Sequence, residues 1–336
     1  MKRFYVIALL IIVIAALAIA AYTLNAPQDK VILVVSTTTS LYETGLLDIL
    51  DARFEAKFPN INVTFISQGT GLAIQTAQNG DADMILVHDA AREKAFLEEG
   101  YGVNRKIVAY NFFVVVGPEN DPAGVKGLDP LGALLAIKAA GEAGDTTWIS
   151  RGDDSGTHAM EKRLWIAGGE DATELREESW YLERGSGMTA TLAMANEKMA
   201  YTICDLGSYL NNYVSGNIEL VILVEAGQST LNVYSAIACD PQNPSLSHVK
   251  FDEAIKFINF LVSEEVQEIF ANFGVEKFGQ PLFNPALEVL AKNANPTVAG
   301  WIKDVAYING SECPANKCYN AGNMEFLNSV IVPSLK

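Results

Sequence analysis

The nine residues Ser150-Arg151-Gly152-Asp153-Asp154-Ser155-Gly156-Thr157-His158 concentrate groups that suit a small anion. They follow an apolar, strand-like run (146–149) and precede a helix-like run (159–167) that stops at Gly168-Gly169, which predicts a strand–loop–helix junction. The first turn of a helix presents free backbone N–H groups and the positive end of the macrodipole. Ser155 and Thr157 add hydroxyls, Gly156 lets a ligand approach the main chain, and Arg151 adds a guanidinium with fixed-geometry donors. The expected guest is a small oxyanion. The competing reading is a surface turn in which Arg151 pairs with Asp153 or Asp154.

Two further loops carry hydroxyls at predicted strand ends: Thr37-Thr38-Thr39-Ser40 and Gly69-Thr70-Gly71. Each alone reads equally as a helix N-cap, because Ser and Thr are favoured there. Together with Arg151, Ser155, Gly156 and Thr157 they describe donors closing on a tetrahedral oxyanion, with no general base required. The elements that must position them are readable. Residues 31–35 form a buried-strand pattern, and a helix from about Glu43 places Leu46, Leu47, Leu50, Phe54 and Phe58 on one face. Residues 61–67 alternate as a strand, 72–78 are helical, and 84–87 form a third strand, so the start of the chain is a βαβαβ unit. Two long apolar runs, 107–116 and 233–238, read as crossings between domains. The expectation is an α/β fold of two domains, each a mainly parallel sheet flanked by helices. Residues 31–110 and 233–284 form a discontinuous first domain, 111–232 an inserted second one, and 285–336 a C-terminal extension. That is the layout of a hinged clamp.

The formal charge of −16 over 336 residues argues against nucleic acid. It also argues against long-range steering of anions, so capture must rest on short-range donors. Residues 4–22 are almost unbroken apolar sequence behind Lys2 and Arg3, read with the linker to residue 30 as a signal peptide or an N-terminal membrane anchor. Either leaves the bulk of the chain extracytoplasmic, where disulfides persist. Cys313 and Cys318 are close enough to close a small loop; Cys204 and Cys239 read either as a pair or as two buried thiols. With three histidines in the chain, a bound metal cation is not expected, nor is any cofactor.

At this point the chain resembles a family. Ser-Thr-Thr-Thr-Ser at 36–40, Gly-Thr-Gly at 69–71, Gly-Asp-Ala-Asp at 80–83 leading to Leu86-Val87-His88, Gly-Tyr-Gly at 100–102, Val116-Gly117-Pro118 and the 150–158 stretch with Glu161 are similar to the TupA family, the tungstate-binding components of ABC importers. The chain departs from the family's pattern at Phe112, where an Asp is usual, and at Leu206, where an Arg is usual. The resemblance implies a type II periplasmic-binding-protein fold and capture of tungstate, with molybdate as the near alternative, for an ABC permease and its ATPase. It implies ligand contacts from Thr37, Thr38, Thr39, Ser40, Thr70, Arg151, Ser155, Gly156 and Thr157. His88 stands where phosphate binders of this fold carry a carboxylate, and it is expected to offer an N–H that suits a fully deprotonated ion. Other tetrahedral oxyanions (phosphate, sulfate) and a membrane-anchored oxyanion sensor are the alternatives. An enzyme is disfavoured, because Ser155 lacks the Gly-x-Ser-x-Gly elbow of a hydrolase.

Overall fold

The computed structural model describes residues 30–225 and 227–319. The N-terminal apolar segment, residue 30 apart, and the end of the C-terminal extension therefore lie outside the described residues. Among the described residues no helix is long and apolar enough to cross a membrane.

Among the described residues ten strands organise the fold: β1 (Val31–Thr38), β2 (Ile61–Gln68), β3 (Met84–Val87), β4 (Gly102–Gly117), β5 (Trp148–Ser150), β6 (Tyr181–Glu183), β7 (Thr202–Asp205), β8 (Val221–Val224), β9 (Leu231–Cys239) and β10 (Asn284–Pro285). The main sheet runs in the order β10-β4-β9-β3-β1-β2. Its β3-β1-β2 part is parallel, as helical crossovers demand, and β9 and β4 add to it antiparallel. The sheets are thus mixed. The parallel portion matches the βαβαβ reading, and the antiparallel portion comes from the two long apolar runs lying side by side.

β4 is the longest strand and serves two sheets. Its first part, to Phe112, pairs with β9, and its last part, Phe113–Gly117, pairs with β7 and β8. A further small parallel set joins β5 to β6 and, through a Trp148–Tyr201 bridge, to the start of β7. Because Gly102–Val103 and Lys106 pair with β9 across a shift in register, the observed strand begins five residues before the apolar run that announces it.

Helices cover these sheets because their apolar faces require it. The helix Leu46–Lys57 buries Leu46, Leu47, Leu50 and Phe54, and Phe54 meets Phe257 edge-on at 4.9 Å. Burying such a ring contributes roughly 1.5–3 kcal/mol. In the second half of the molecule, Trp148, Trp165, Trp180 and Tyr181 form an aromatic core beneath β5. The helices Ala286–Ala291 and Pro296–Ala306 are integral: Val289, Val298 and Ile302 pack against Ile107, Tyr110, Leu231 and Val233. Cys204 and Cys239 are buried free thiols in different core clusters, so they form no pair.

Candidate anion-binding site

The 150–158 loop folds as its residue types require. β5 delivers Ser150 and Arg151, and Gly152 then turns with a φ of 63°, where an added Cβ would stand 2.8 Å from the Glu183 side chain. Ser155 caps the helix Gly156–Ala167, its Oγ accepting from the His158 N–H at 3.2 Å. Removing such a cap costs about 1 kcal/mol. Under the loop, Glu161 is fully buried and accepts from Trp148 Nε1 at 2.8 Å, Ser150 Oγ at 2.9 Å, Trp165 Nε1 at 3.4 Å and the Tyr181 hydroxyl. Burial pushes its carboxyl pKa up and these donors pull it back, with burial the stronger. This buried fan holds the strand end that carries Arg151.

Arg151 is 2 % exposed. Its Nε donates to Asp153 Oδ2 at 2.9 Å and its Nη2 to Thr39 Oγ1 at 2.7 Å, the second contact reaching the opposite wall. A guanidinium has five N–H donors. With two engaged, three remain without a partner among the described residues. Both readings of the loop are therefore present at once: Arg151 does pair with Asp153, and that pair aims the rest of the fork inward.

The opposite wall is built from the ends of β1, β2 and β3. Thr37 Oγ1 donates to the Leu86 carbonyl at 2.8 Å, so its proton is engaged and its side chain has nothing to give an anion. Thr38 Oγ1 lies 3.5 Å from Ser40 Oγ, and Ser40 Oγ lies 3.4 Å from His88 Nε2. Thr70 is the first residue of the helix Thr70–Gln78. The hydroxyls of Thr70 and Thr157 are both buried without a hydrogen-bond partner among the described residues. Leaving such a group unpaired costs about 1–3 kcal/mol each. The walls meet closely. A Cβ on Gly69 would sit 3.3 Å from the Asp153 carbonyl, one on Gly71 2.5 Å from the Asp154 carboxylate, and one on Gly156 2.6 Å from the His88 ring. All ten residues singled out from the sequence are thus drawn to one region, although Thr37 faces β3 and Ser155 serves its helix.

His88 differs from the expectation, and the reason is a chain of hydrogen bonds. Asn111 Nδ2 donates to the Leu282 carbonyl at 3.3 Å, which turns Asn111 Oδ1 toward Asn232. Asn232 Nδ2 donates to that oxygen at 2.8 Å and to the Tyr234 hydroxyl at 3.0 Å, leaving Asn232 Oδ1 to face His88 Nδ1 at 2.8 Å. An acceptor there places the proton on Nδ1. In the neutral ring Nε2 then carries a lone pair toward Ser40, rather than the N–H anticipated. Burial holds the His88 pKa below its usual value, against the opposing pull of Asp205, the Asn232 hydrogen bond and Asp89; the Arg151 charge lowers it further. The ring also stacks on Tyr234 at 4.8 Å.

Sequence reasoning missed four contributors. Arg92 joins the walls at the rim, pairing with the Asp154 carboxylate and donating from Nη1 to the Asp154 carbonyl at 2.8 Å. Its one clue was a cation in the first turn of the helix Ala90–Glu98, where the macrodipole favours acids. Glu43 also spans the walls, accepting from Thr189 Oγ1 at 3.2 Å; burial raises its carboxyl pKa. Asn111 is the one amide in the apolar run 107–116 and Asn232 the one amide in β9, a pattern that marks a buried polar pair.

The His158 ring accepts from the Asp154 N–H at 3.2 Å, and among the described residues it makes no hydrogen bond to the Ser155 hydroxyl, so this ring is not placed as that serine's base. Among the described residues no group of three His, Cys, Asp or Glu could hold a metal cation.

Residues 22–265 match the model of the PBP superfamily domain. The chain is 46 % identical over 259 residues to a putative ABC transporter anion-binding protein of Haloferax volcanii, covering 75 % of this chain and 71 % of that protein. It is 38 % identical to the tungstate-binding protein TupA of Peptoclostridium acidaminophilum, covering 77 % of this chain and 87 % of the relative. Among solved structures, the tungstate-binding protein TupA of Desulfovibrio alaskensis G20 superposes with a TM-score of 0.64 at 40 % identity, over 76 % of this chain and 98 % of that one.

Proposed function

The chain belongs to the TupA family of tungstate-binding solute-binding proteins, within the PBP superfamily, and on that premise we propose that it captures tungstate outside the cytoplasm and delivers it to an ABC permease powered by its ATPase. The N-terminal apolar segment would keep it at the membrane or direct its export. The protein is a carrier, not an enzyme, and tungstate is its cargo.

One observation carries the assignment of the cleft. Among the described residues two buried hydroxyls, Thr70 and Thr157, stand unpaired at the first turns of two helices from opposite walls, and the buried Arg151 guanidinium keeps three uncommitted protons. A tetrahedral dianion can accept from both hydroxyls and from the free edge of the guanidinium together, with charge-assisted hydrogen bonds of roughly twice the ordinary strength. Thr38, Thr39, Ser40, Ser155 and the Gly156 N–H complete the cage, and Thr37 supports it from behind. For Ser40 to turn its proton to the anion, His88 Nε2 must gain one, so binding is accompanied by proton uptake at His88. The Arg151–Thr39 and Arg92–Asp154 contacts hold the two walls together around the guest, as closure of a hinged clamp requires.

Calorimetric titration of the purified protein against tungstate, molybdate, sulfate and phosphate tests the reading. One-site stoichiometric binding of tungstate, with molybdate next and sulfate and phosphate far weaker, is expected. Phosphate as the tightest ligand, or no tungstate binding, overturns it.

A further inference from the structure

The segment from Ile308 to Tyr319 lies beyond the family match. It is fastened at both ends to the beginning of β4. The Glu312 carbonyl accepts from Arg105 Nη1 at 2.7 Å, and its carboxylate takes Lys106 Nζ at 3.2 Å and the Ile107 N–H. At the other end the Tyr319 N–H donates to Asn104 Oδ1 at 2.8 Å and its hydroxyl to Asp240. Between these anchors runs Cys313-Pro-Ala-Asn-Lys-Cys318, bent by a single turn of 3-10 helix, Ala315–Lys317. The bend folds the two cysteines onto each other. Cys313 Sγ lies 3.5 Å from the Lys317 carbonyl, and Cys318 Sγ lies 3.4 Å from the Pro314 carbonyl and 3.8 Å from the carbonyl of Cys313 itself. Both are partly exposed, unlike the buried Cys204 and Cys239.

We propose that Cys313 and Cys318 are a modification site, closing by exchange with a small-molecule or protein disulfide into an intramolecular disulfide that fixes this strap on β4. The surroundings order the chemistry. The neighbouring Cys313 thiol, aided by the Lys106 ammonium, brings the Cys318 thiol down to about 7, so Cys318 is the attacking thiolate. It bonds to one sulfur of the incoming disulfide, whose S–S bond breaks and releases the first thiolate. Cys313, losing its proton, then attacks the Cys318 sulfur and expels the second thiolate. The reagent leaves as two thiols, reduced by the two electrons the cysteines lose. The strap matters because Arg105 continues inward to a fully buried ion pair with Glu93 at 2.7 Å, and Glu93 Oε1 accepts from the Asp89 N–H at 2.9 Å, next to His88.

The test uses the full chain, equilibrated with oxidised or reduced glutathione, alkylated without denaturant, then denatured and digested with trypsin. Cleavage after Lys317 falls between the two cysteines. With oxidised glutathione, the expected result is a mass loss of two hydrogens, no alkylation at either cysteine, and the two tryptic peptides joined until reduced. The variant Cys313→Ser is expected to stop as a glutathione adduct on Cys318. Free alkylation of both cysteines after oxidation, or a lasting glutathione adduct on the unsubstituted protein, overturns the proposal.

Discussion

The two walls of the cleft reach the same position by opposite routes. In the 150–161 wall, partners lie two residues apart (Arg151–Asp153), three apart (Ser155–His158) and eleven apart (Ser150–Glu161). In the other wall, the His88 ring is oriented by a residue 144 positions away, which is oriented by another 121 positions from it. A contiguous wall keeps its chemistry wherever its strand and helix are in place. A dispersed wall has its chemistry only when the whole sheet is assembled.

The strongest way to break this contrast is to remove the one cation of the contiguous wall. Arg151→Ala is expected to weaken tungstate binding by roughly 2–4 kcal/mol, about 30- to 1000-fold in Kd by calorimetry, with Arg151→Lys losing less. Binding within twofold of the unsubstituted protein refutes the role of Arg151. Next come the paired hydroxyls, one from each wall. Thr70→Val and Thr157→Val are each expected to lose about 1.5–3 kcal/mol of affinity, as for hydrogen bonds to a charged group, while the anion-free protein unfolds no earlier because an unpaired buried hydroxyl has gone. A lower melting point with unchanged affinity would place these groups in the fold alone.

The dispersed wall is tested by pH. Burial keeps the His88 pKa below 6.5 in the anion-free fold, whereas the unfolded chain takes up its proton near 6.5. Stability from this group is therefore present above that pH and is lost as pH falls through it. His158 is lowered by burial as well and has the same sign, so the melting measurement belongs in a His158→Gln background. A bound dianion raises the His88 pKa, so affinity should run the other way, increasing as pH falls from about 8 to 6. A pH-independent Kd would exclude proton uptake. His88→Asp is expected to lose roughly 1–3 kcal/mol of tungstate affinity and to gain hydrogen phosphate relative to it. The smallest effect belongs to the rim: Asp154→Asn breaks an exposed ion pair with Arg92 and should cost at most about 1 kcal/mol, vanishing at high salt. A large, salt-independent loss would move that pair from the rim into the site.

The contrast also explains what was legible in the sequence. Helix periodicity marked Leu46, Leu47, Leu50 and Phe54, and the hydroxyl loops fell at strand ends as a βαβαβ unit dictates. The motif at 150–158 could be read because its partners are its own neighbours. Which hydroxyl of a Thr-Thr-Thr-Ser run faces inward could not be read, since it depends on β3 lying beside β1 and presenting the Leu86 carbonyl to Thr37. The proton on His88 was invisible for the same reason: it is decided by an amide chain ending at Leu282. Register and long-range pairing decide such matters, and composition carries neither.

The helices Ala286–Ala291 and Pro296–Ala306 act on the crossing strands as a splint acts on a limb. They pack against β4 at Ile107 and Tyr110 and against β9 at Leu231 and Val233, so both strands are braced up to the point where β4 leaves β9 for β7 and β8. Bending a braced ribbon is hard, and bending concentrates where the brace ends. In the proposed clamp the pivot would be confined to the short stretch around Phe112 and Phe113, with Asn111 and Asn232 paired just inside it. The amides that hold the His88 proton in place would then sit at the bearing of that joint, where an opening motion would be felt first.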